Sequence, residues 1–108
     1  MDKIPAEIEN ILKIFLLKTK ENNISIKSAY LFGSTATGKN NELSDIDIAL
    51  VSDDFEGIRF LDKQSLYQAV VETDISIEPI TFKVCDFNNE NPIVSEILNT
   101  GININYLI

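Results

Sequence analysis

The sequence contains no histidine, and this absence removes the commonest side-chain catalyst. Without histidine the chain cannot build a Ser-His-Asp or Cys-His nucleophile pair, and it cannot form the usual zinc sites. Any chemistry must therefore rest on carboxylates, hydroxyls, amines or a bound metal ion.

Cysteine and long apolar runs are also scarce. Cys85 is the only cysteine, so no internal disulfide can form. Because it lies in an apolar stretch, we interpret it as a small core residue rather than a reactive thiol. No segment approaches the roughly 20 apolar residues of a membrane helix, and the first residues lack the apolar core of a signal peptide. We expect one domain spanning residues 1–108, located in the cytoplasm.

Positive charge is the third scarcity. The chain has 9 Lys and Arg against 17 Asp and Glu, which gives a formal net charge of −8. So acidic a chain is a poor non-specific binder of nucleic acid, because phosphate contacts need Lys and Arg. We therefore expect no direct nucleic-acid binding. The acidity suits metal binding or a basic protein partner, and solubility alone also explains it.

A Gly-Ser turn and a pair of aspartates stand out in what remains. The apolar run 29–32 leads into Gly33 and Ser34; ten residues later, Asp45 and Asp47 open a second apolar run. Alternate residues of a strand point to the same face, so the two aspartates project together. Two such carboxylates repel each other unless a hard cation such as Mg²⁺ binds them together with substrate phosphates. The Gly-Ser turn offers N–H groups and a hydroxyl to those phosphates.

This combination resembles the signature of the nucleotidyltransferase superfamily, whose fold is that of DNA polymerase β. The short chain is similar to the minimal nucleotidyltransferase group, and the form of residues 44–49 is typical of the family's aspartate pair. Residues 77–80 resemble the later strand that carries a third carboxylate. The resemblance covers residues 28–101 and implies a single small α/β (α+β) domain, a mixed sheet with flanking helices like the polymerase β palm.

The resemblance implies three catalytic carboxylates. Asp45, Asp47 and Glu78 would hold Mg²⁺, two ions in the family's mechanism, with Mn²⁺ as an alternative. The third carboxylate would also serve as general base. Asp74 shares the strand face of Glu78 and takes its role if the strand register differs.

The resemblance also implies a nucleotide site at the Gly-Ser turn. Gly33 and Ser34 would bind the phosphates of ATP or another NTP. A short helix directly after Ser34 would add its partial positive charge to that site. Lys39 lies in the following loop and is interpreted as a solvated lysine.

Three functions remain open from the sequence. The first is transfer of AMP, or another NMP, to an acceptor hydroxyl. Members of the minimal group pair with HEPN-domain proteins, so the resemblance implies an antitoxin that adenylylates a HEPN-type toxin. The second is a non-catalytic binding module of the same fold, and the third is a small-molecule (antibiotic-type) or RNA nucleotidyltransferase. The acceptor, the NTP and the oligomeric state, a homo-oligomer included, stay undetermined.

Periodicity predicts the elements around the motif. Helical spacing of apolar residues covers 5–20 and 58–71, with Leu66, Tyr67, Val70 and Val71 as the apolar face of the second helix and Asp62 exposed. Asn91 and Pro92 indicate the start of a third helix, which Gly101 ends as a left-handed cap. Predicted strands are 26–32, 45–52, 75–84 and 102–108. Pro79 places the third of these near a sheet edge, and the apolar last segment is a candidate interface if exposed.

Overall fold

A computed structural model describes residues 4–38 and 45–108 of the chain. This part folds into a four-stranded sheet with helices on both faces. The elements, in chain order, are α1 (Ala6–Glu21), β1 (Ser28–Phe32), α2 (Ser34–Thr37), β2 (Ile46–Val51), α3 (Arg59–Thr73), β3 (Ile77–Phe82), α4 (Pro92–Thr100) and β4 (Ile102–Asn103), with short 3₁₀ helices at Val84–Asp86 and Asn105–Leu107.

The sheet is mixed, as predicted. Its strand order is β3-β2-β1-β4. β1 runs antiparallel to both β2 and β4, whereas β2 and β3 run parallel. Parallel neighbours need a crossover connection, and α3 provides it. β3 lies at an edge of the sheet, where the prediction from Pro79 placed it.

The core lies on both faces of the sheet. On one face Phe15 of α1 and Leu66 of α3, both fully buried, pack in one cluster with strand residues such as Ile48. On the other face α4 packs Val94 and Ile97 against the alternate residues of β2 and β3. The second face is only partly covered, and Asp47 lies on it, in alternation with Ala49 and Val51. No helix of the described ranges has the length and apolarity to cross a bilayer.

Helix boundaries follow local chemistry. α1 starts after Pro5 and ends near Lys18 and Lys20, whose charges favour the negative end of the helix dipole. α4 begins as predicted, because the Asn91 side chain accepts a hydrogen bond from the Ile93 N–H at 2.9 Å and caps the first turn.

The predicted apolar face of α3 is wrong in part. Leu66 is fully buried, but Tyr67 and Val71 face solvent. Asp62, expected to be exposed, is buried instead. Its carboxylate accepts hydrogen bonds from the N–H groups of Glu56 at 2.8 Å and Gly57 at 3.0 Å. These bonds satisfy the carboxylate and hold the preceding loop against the start of the helix.

Two further expectations are corrected. Cys85 is exposed rather than buried, because it lies in the 3₁₀ turn after β3 and not in the strand. Gly101 does end α4, but with φ −81° and ψ 168° it is extended and not left-handed. Glycine is needed there because a side chain has no space. A Cβ would lie 2.5 Å from the carbonyl oxygen of Ile97 and 3.1 Å from that of Leu31.

The last segment is part of the core rather than a free apolar surface. Only Ile102–Asn103 form a strand, and Ile104 is fully buried. The Asn105 side chain accepts a hydrogen bond from the Ala29 N–H at 2.8 Å, which ties the segment to β1. Its remaining exposed apolar side chains are Tyr106 and Ile108.

Candidate active site

Asp47 and Glu78 lie side by side on the partly covered face of the sheet. They are direct partners in the parallel pairing of β2 with β3, and Phe32 is the partner of Asp47 on β1. Neighbouring strands are about 4.8 Å apart, so the two carboxylates emerge next to each other. Asp47 is half-buried and Glu78 exposed. The structure thus brings together two of the three predicted carboxylates.

Gly33 packs directly against Asp47. It has φ 73° and ψ −153°, a region that glycine almost alone adopts. A Cβ at this position would overlap Oδ2 of Asp47 and lie 3.3 Å from its Cγ. Glycine is therefore needed both for the turn and for the close approach of the backbone to the carboxylate.

Ser34 begins α2, the short helix that the sequence predicted. α2 is a single turn, in which Ala36 N–H donates to the Gly33 carbonyl at 3.1 Å. Ser34 is half-buried and follows the glycine that contacts Asp47. Lys39 and Ser44 lie outside the described residues.

Asp45 stands just before β2 and is exposed. The sequence placed Asp45 inside the strand, on the face of Asp47, whereas the strand begins one residue later at Ile46. Burial raises the pKa of the Asp47 carboxyl, and the negative charges of Asp45 and Glu78 raise that pKa further. The three carboxylates therefore interact electrostatically, and their mutual repulsion is what a cation would relieve.

The donor set suits a hard cation in its chemistry. Carboxylate oxygens and a serine hydroxyl are the ligands that Mg²⁺ and Mn²⁺ prefer. Within residues 4–38 and 45–108, however, no three acidic side chains lie close enough together to hold one metal ion. The Glu78 carboxylate is instead paired with the ammonium of Lys63.

Asp74, the alternative third carboxylate, is engaged elsewhere. It ends α3 and accepts hydrogen bonds from the Ser76 N–H at 2.9 Å and the Ser76 hydroxyl at 2.6 Å. This places it before β3 begins, whereas Glu78 is level with Asp47.

Two basic residues of α3 were missed as site residues in the sequence. Arg59 and Lys63 line a hollow of about 300 Å³ together with Phe32, Asp47 and Glu78. They lie one helical turn apart, so they project from the same side of α3. Only the packing of α3 beside the edge strand brings them here, although their spacing of four residues was a signal available in the sequence.

A larger hollow of about 580 Å³ lies elsewhere, between α1 and the last residues of the chain. Its lining is mostly aliphatic, including Leu16 and Leu17, and although Lys13 and Lys20 also line it, no acidic side chain of the described residues does. The smaller hollow beside Asp47 is therefore the better candidate for phosphate and metal chemistry.

Comparisons with known proteins agree with this fold. The family model described as "Polymerase beta, Nucleotidyltransferase" matches residues 9–105. A comparison with curated proteins gave no match. Among solved structures, a proposed nucleotidyltransferase from Sulfolobus solfataricus superposes with a TM-score of 0.63 at 15% identity, covering 90% of this chain and 78% of that chain. At this identity the likeness concerns the fold alone.

The fold and the paired carboxylates define a small nucleotidyltransferase-type domain. Because the family model spans most of the chain, the protein belongs to the Polymerase beta nucleotidyltransferase family.

Proposed function

We propose that this protein transfers an NMP, AMP from ATP in the first instance, to the hydroxyl of an acceptor. The observation that carries the proposal is the pairing of Asp47 with Glu78 across β2 and β3, with the Gly33–Ser34 turn packed against Asp47. A phosphate-binding turn beside two carboxylates is the arrangement that metal-assisted phosphoryl chemistry needs.

The roles follow from position. Gly33 and Ser34 bind the phosphates of the NTP, and Asp45, Asp47 and Glu78 hold divalent ions. A bound Mg²⁺ or Mn²⁺ would neutralise charge on the phosphates. Glu78 would either accept the proton of the acceptor hydroxyl as general base or complete the ligands of the ion, and for each of these roles it would have to part from Lys63.

We propose a HEPN-type toxin as the acceptor protein and a cytoplasmic antitoxin role, where NTPs are available. The resemblance of the signature supports this partner, and so does the acidic charge of −8, which favours a basic one. The exposed apolar side chains of α3 also support a protein partner. Phe60 and Tyr67 line a hollow of about 450 Å³ that shares Lys63 with the candidate site.

Intact mass spectrometry of the partner tests the proposal. Incubation with Mg²⁺ and ATP should add about 329 Da per AMP, the mass left after pyrophosphate is lost. The double variant Asp45→Asn with Asp47→Asn should abolish the added mass and leave the complex intact in size-exclusion chromatography. An unchanged mass with the parent protein would contradict the enzymatic function.

Glu78→Gln separates a catalytic carboxylate from a surface one. It keeps the shape of the side chain but removes charge and basicity, so transfer should fall by roughly 10²–10⁴-fold. Glu72→Gln is the matched control, because Glu72 is also an exposed glutamate paired with a lysine, Lys18. If Asp74→Asn abolishes transfer and Glu78→Gln does not, the assignment of the third carboxylate is wrong.

A non-catalytic binding module is the second candidate. It is favoured by one observation: in the described part of the chain three acidic side chains do not converge, and Lys63 neutralises Glu78. In that case the double aspartate variant neutralises the toxin as well as the parent does, and calorimetry finds equal ATP affinity with and without Mg²⁺.

A further inference from the structure

The hollow beside Asp47 has a charge pattern that the proposed metal and phosphate roles do not use. Arg59 and Lys63 both line it. Arg59 is the only arginine of the chain. In a chain with more acidic than basic residues, two basic side chains that line one hollow call for an explanation.

Arg59 and Lys63 lie on the side of Asp47 away from the Gly-Ser turn. The strand order β3-β2-β1 puts Phe32 and the turn on one side of Asp47 and Glu78 on the other. Lys63 then lies beyond Asp47 at the outer edge, paired with Glu78. If the turn binds the NTP, these cations face the space left for the acceptor.

Arg59 is held in a form ready to bind an anion. Its guanidinium lies 5.5 Å from the ring centroid of Phe82, which in turn packs edge-on against Phe87 at 5.3 Å. This cation–π contact holds the guanidinium beside the ring, and a guanidinium fork can bind a carboxylate or a phosphate in bidentate fashion. None of the ion pairs among residues 4–38 and 45–108 involves Arg59. Asp86 and Glu90 line the adjoining hollow without pairing with it.

Lys63 differs because it already has a partner. Its ammonium pairs with Glu78, and both side chains are about half exposed, at 55% and 49%. An exposed pair of this kind is weak and exchangeable. Its flexible stem lets the ammonium move to a ligand anion when Glu78 takes up another role.

We propose that Arg59 and Lys63 form an anion-binding subsite for the acceptor, which therefore carries an oxyanion next to its reacting hydroxyl. The oxyanion is a carboxylate or a phosphate group, since a guanidinium fork binds both. That this subsite serves the acceptor rests on the proposed function, whereas anion binding by Arg59 and Lys63 does not.

The anion site is tested without nucleotide or metal. The single arginine gives one side-chain Nε–Hε resonance in a ¹⁵N-labelled sample of the whole chain, so its response to ligand is unambiguous. In EDTA at constant ionic strength, inorganic phosphate or acetate should shift this resonance saturably, and chloride should not. The stronger of the two probes identifies the oxyanion. A shift by neither, or one equal to that of chloride, overturns the proposal.

Two variants separate the subsite from general charge. Lys63→Gln should weaken the saturable binding by roughly tenfold, the contribution of one charge-assisted hydrogen bond. Lys27→Gln should leave it unchanged, because Lys27 pairs with Asp53 beside the opposite end of the β1–β2 pair. Equal losses in both variants would mean that only net charge is sensed.

The acceptor side is tested by nucleotide affinity. Arg59→Gln should leave the Kd for Mg²⁺ with a non-hydrolysable ATP analogue within about twofold of the parent, and it should raise the KM for the acceptor. A large loss of nucleotide affinity would assign Arg59 to the NTP and overturn the acceptor role. If no transfer is found at all, the proposed function fails, but the phosphate and acetate titrations still decide whether the subsite exists.

Discussion

Gly33 and Gly38 flank α2 and carry similar positive φ angles of 73° and 76°. Among the residues that the structure describes, a Cβ at Gly38 would meet nothing within 4 Å, whereas one at Gly33 would overlap Asp47. Gly38→Ala should therefore lower the free energy of unfolding only by the cost of placing alanine in the left-handed region, about 1–2 kcal/mol. Gly33→Ala should lower the free energy of unfolding, measured with urea, by clearly more than that and should displace Asp47. Equal losses would show that the contact with Asp47 has no energetic weight.

Asp47 also predicts a dependence of stability on pH. Its pKa is raised, mainly by burial and then by Asp45 and Glu78. Between the ordinary and the raised pKa the folded chain binds more protons than the unfolded chain. The free energy of unfolding contributed by this group is therefore highest below the ordinary pKa and falls as the pH rises through the raised one.

The near-isosteric Asp47→Asn variant tests this sign. In EDTA at about pH 7 it should have a higher urea midpoint than the parent, because it removes an ionised carboxylate that the fold disfavours. At about pH 3, where the parent carboxyl is protonated, the two midpoints should agree. A lower midpoint of the variant at neutral pH would mean that the carboxylate stabilises the metal-free fold.

At the scale of elements, α3 depends on its buried Asp62. This side chain bonds the N–H groups of Glu56 and Gly57, and so anchors the loop before the helix that carries Arg59. Asp62→Ala should lower the free energy of unfolding by about 1.5–3 kcal/mol, since it removes hydrogen bonds to a buried charged group. Asp53→Ala is the control, because Asp53 is exposed in a surface ion pair and should cost under about 1 kcal/mol. Similar costs in denaturant titrations would contradict the anchoring of the loop by Asp62.

At the scale of the whole molecule, the last residues close the core between α1 and β1. Ile104 is fully buried in the cluster that also contains Leu12 and Leu31. Ile104→Ala should therefore destabilise the protein by about 2–5 kcal/mol in calorimetry or urea unfolding. Ile108→Ala, at a 53% exposed position, should change stability by less than about 0.5 kcal/mol. A small effect at Ile104 would make the last segment an appendage rather than part of the core.

Much of this fold follows from local signals in the sequence. The alternation around Asp45 and Asp47 predicted which side chains of β2 face the helices, and Ile46, Ile48 and Leu50 are indeed buried there. Asn91 and Pro92 predicted the start of α4 because capping is decided by neighbouring residues. The mixed sheet followed from the order of strands and helices.

The features that the sequence did not predict depend on contacts with distant parts of the chain. Asp62 is buried because a loop folds over it, and Gly101 is a glycine because the Ile97 and Leu31 carbonyls approach it. Arg59 and Lys63 reach the candidate site only because α3 packs along the edge strand. The four-residue spacing of Arg59 and Lys63 is visible in the sequence, but nothing local shows which strand residues they approach. The catalytic and metal roles of Asp45, Asp47 and Glu78 stay predictions until the variants are measured.

Pro79 lies at the middle of the edge strand that carries Glu78, and its direction has a consequence for self-association. Ile46 N–H donates to the Ser76 carbonyl and Ser52 N–H to the Phe82 carbonyl, so the even-numbered residues of β3 bond to β2. Pro79 therefore faces the open edge, where its missing N–H costs no bond within the sheet but interrupts the ladder that an added strand would need. Pro79→Thr should restore that ladder and promote edge-to-edge assembly, visible as concentration-dependent light scattering, while unchanged scattering would leave the protection to other features. The proline thus keeps the border next to Glu78 from being occupied by another copy of the chain.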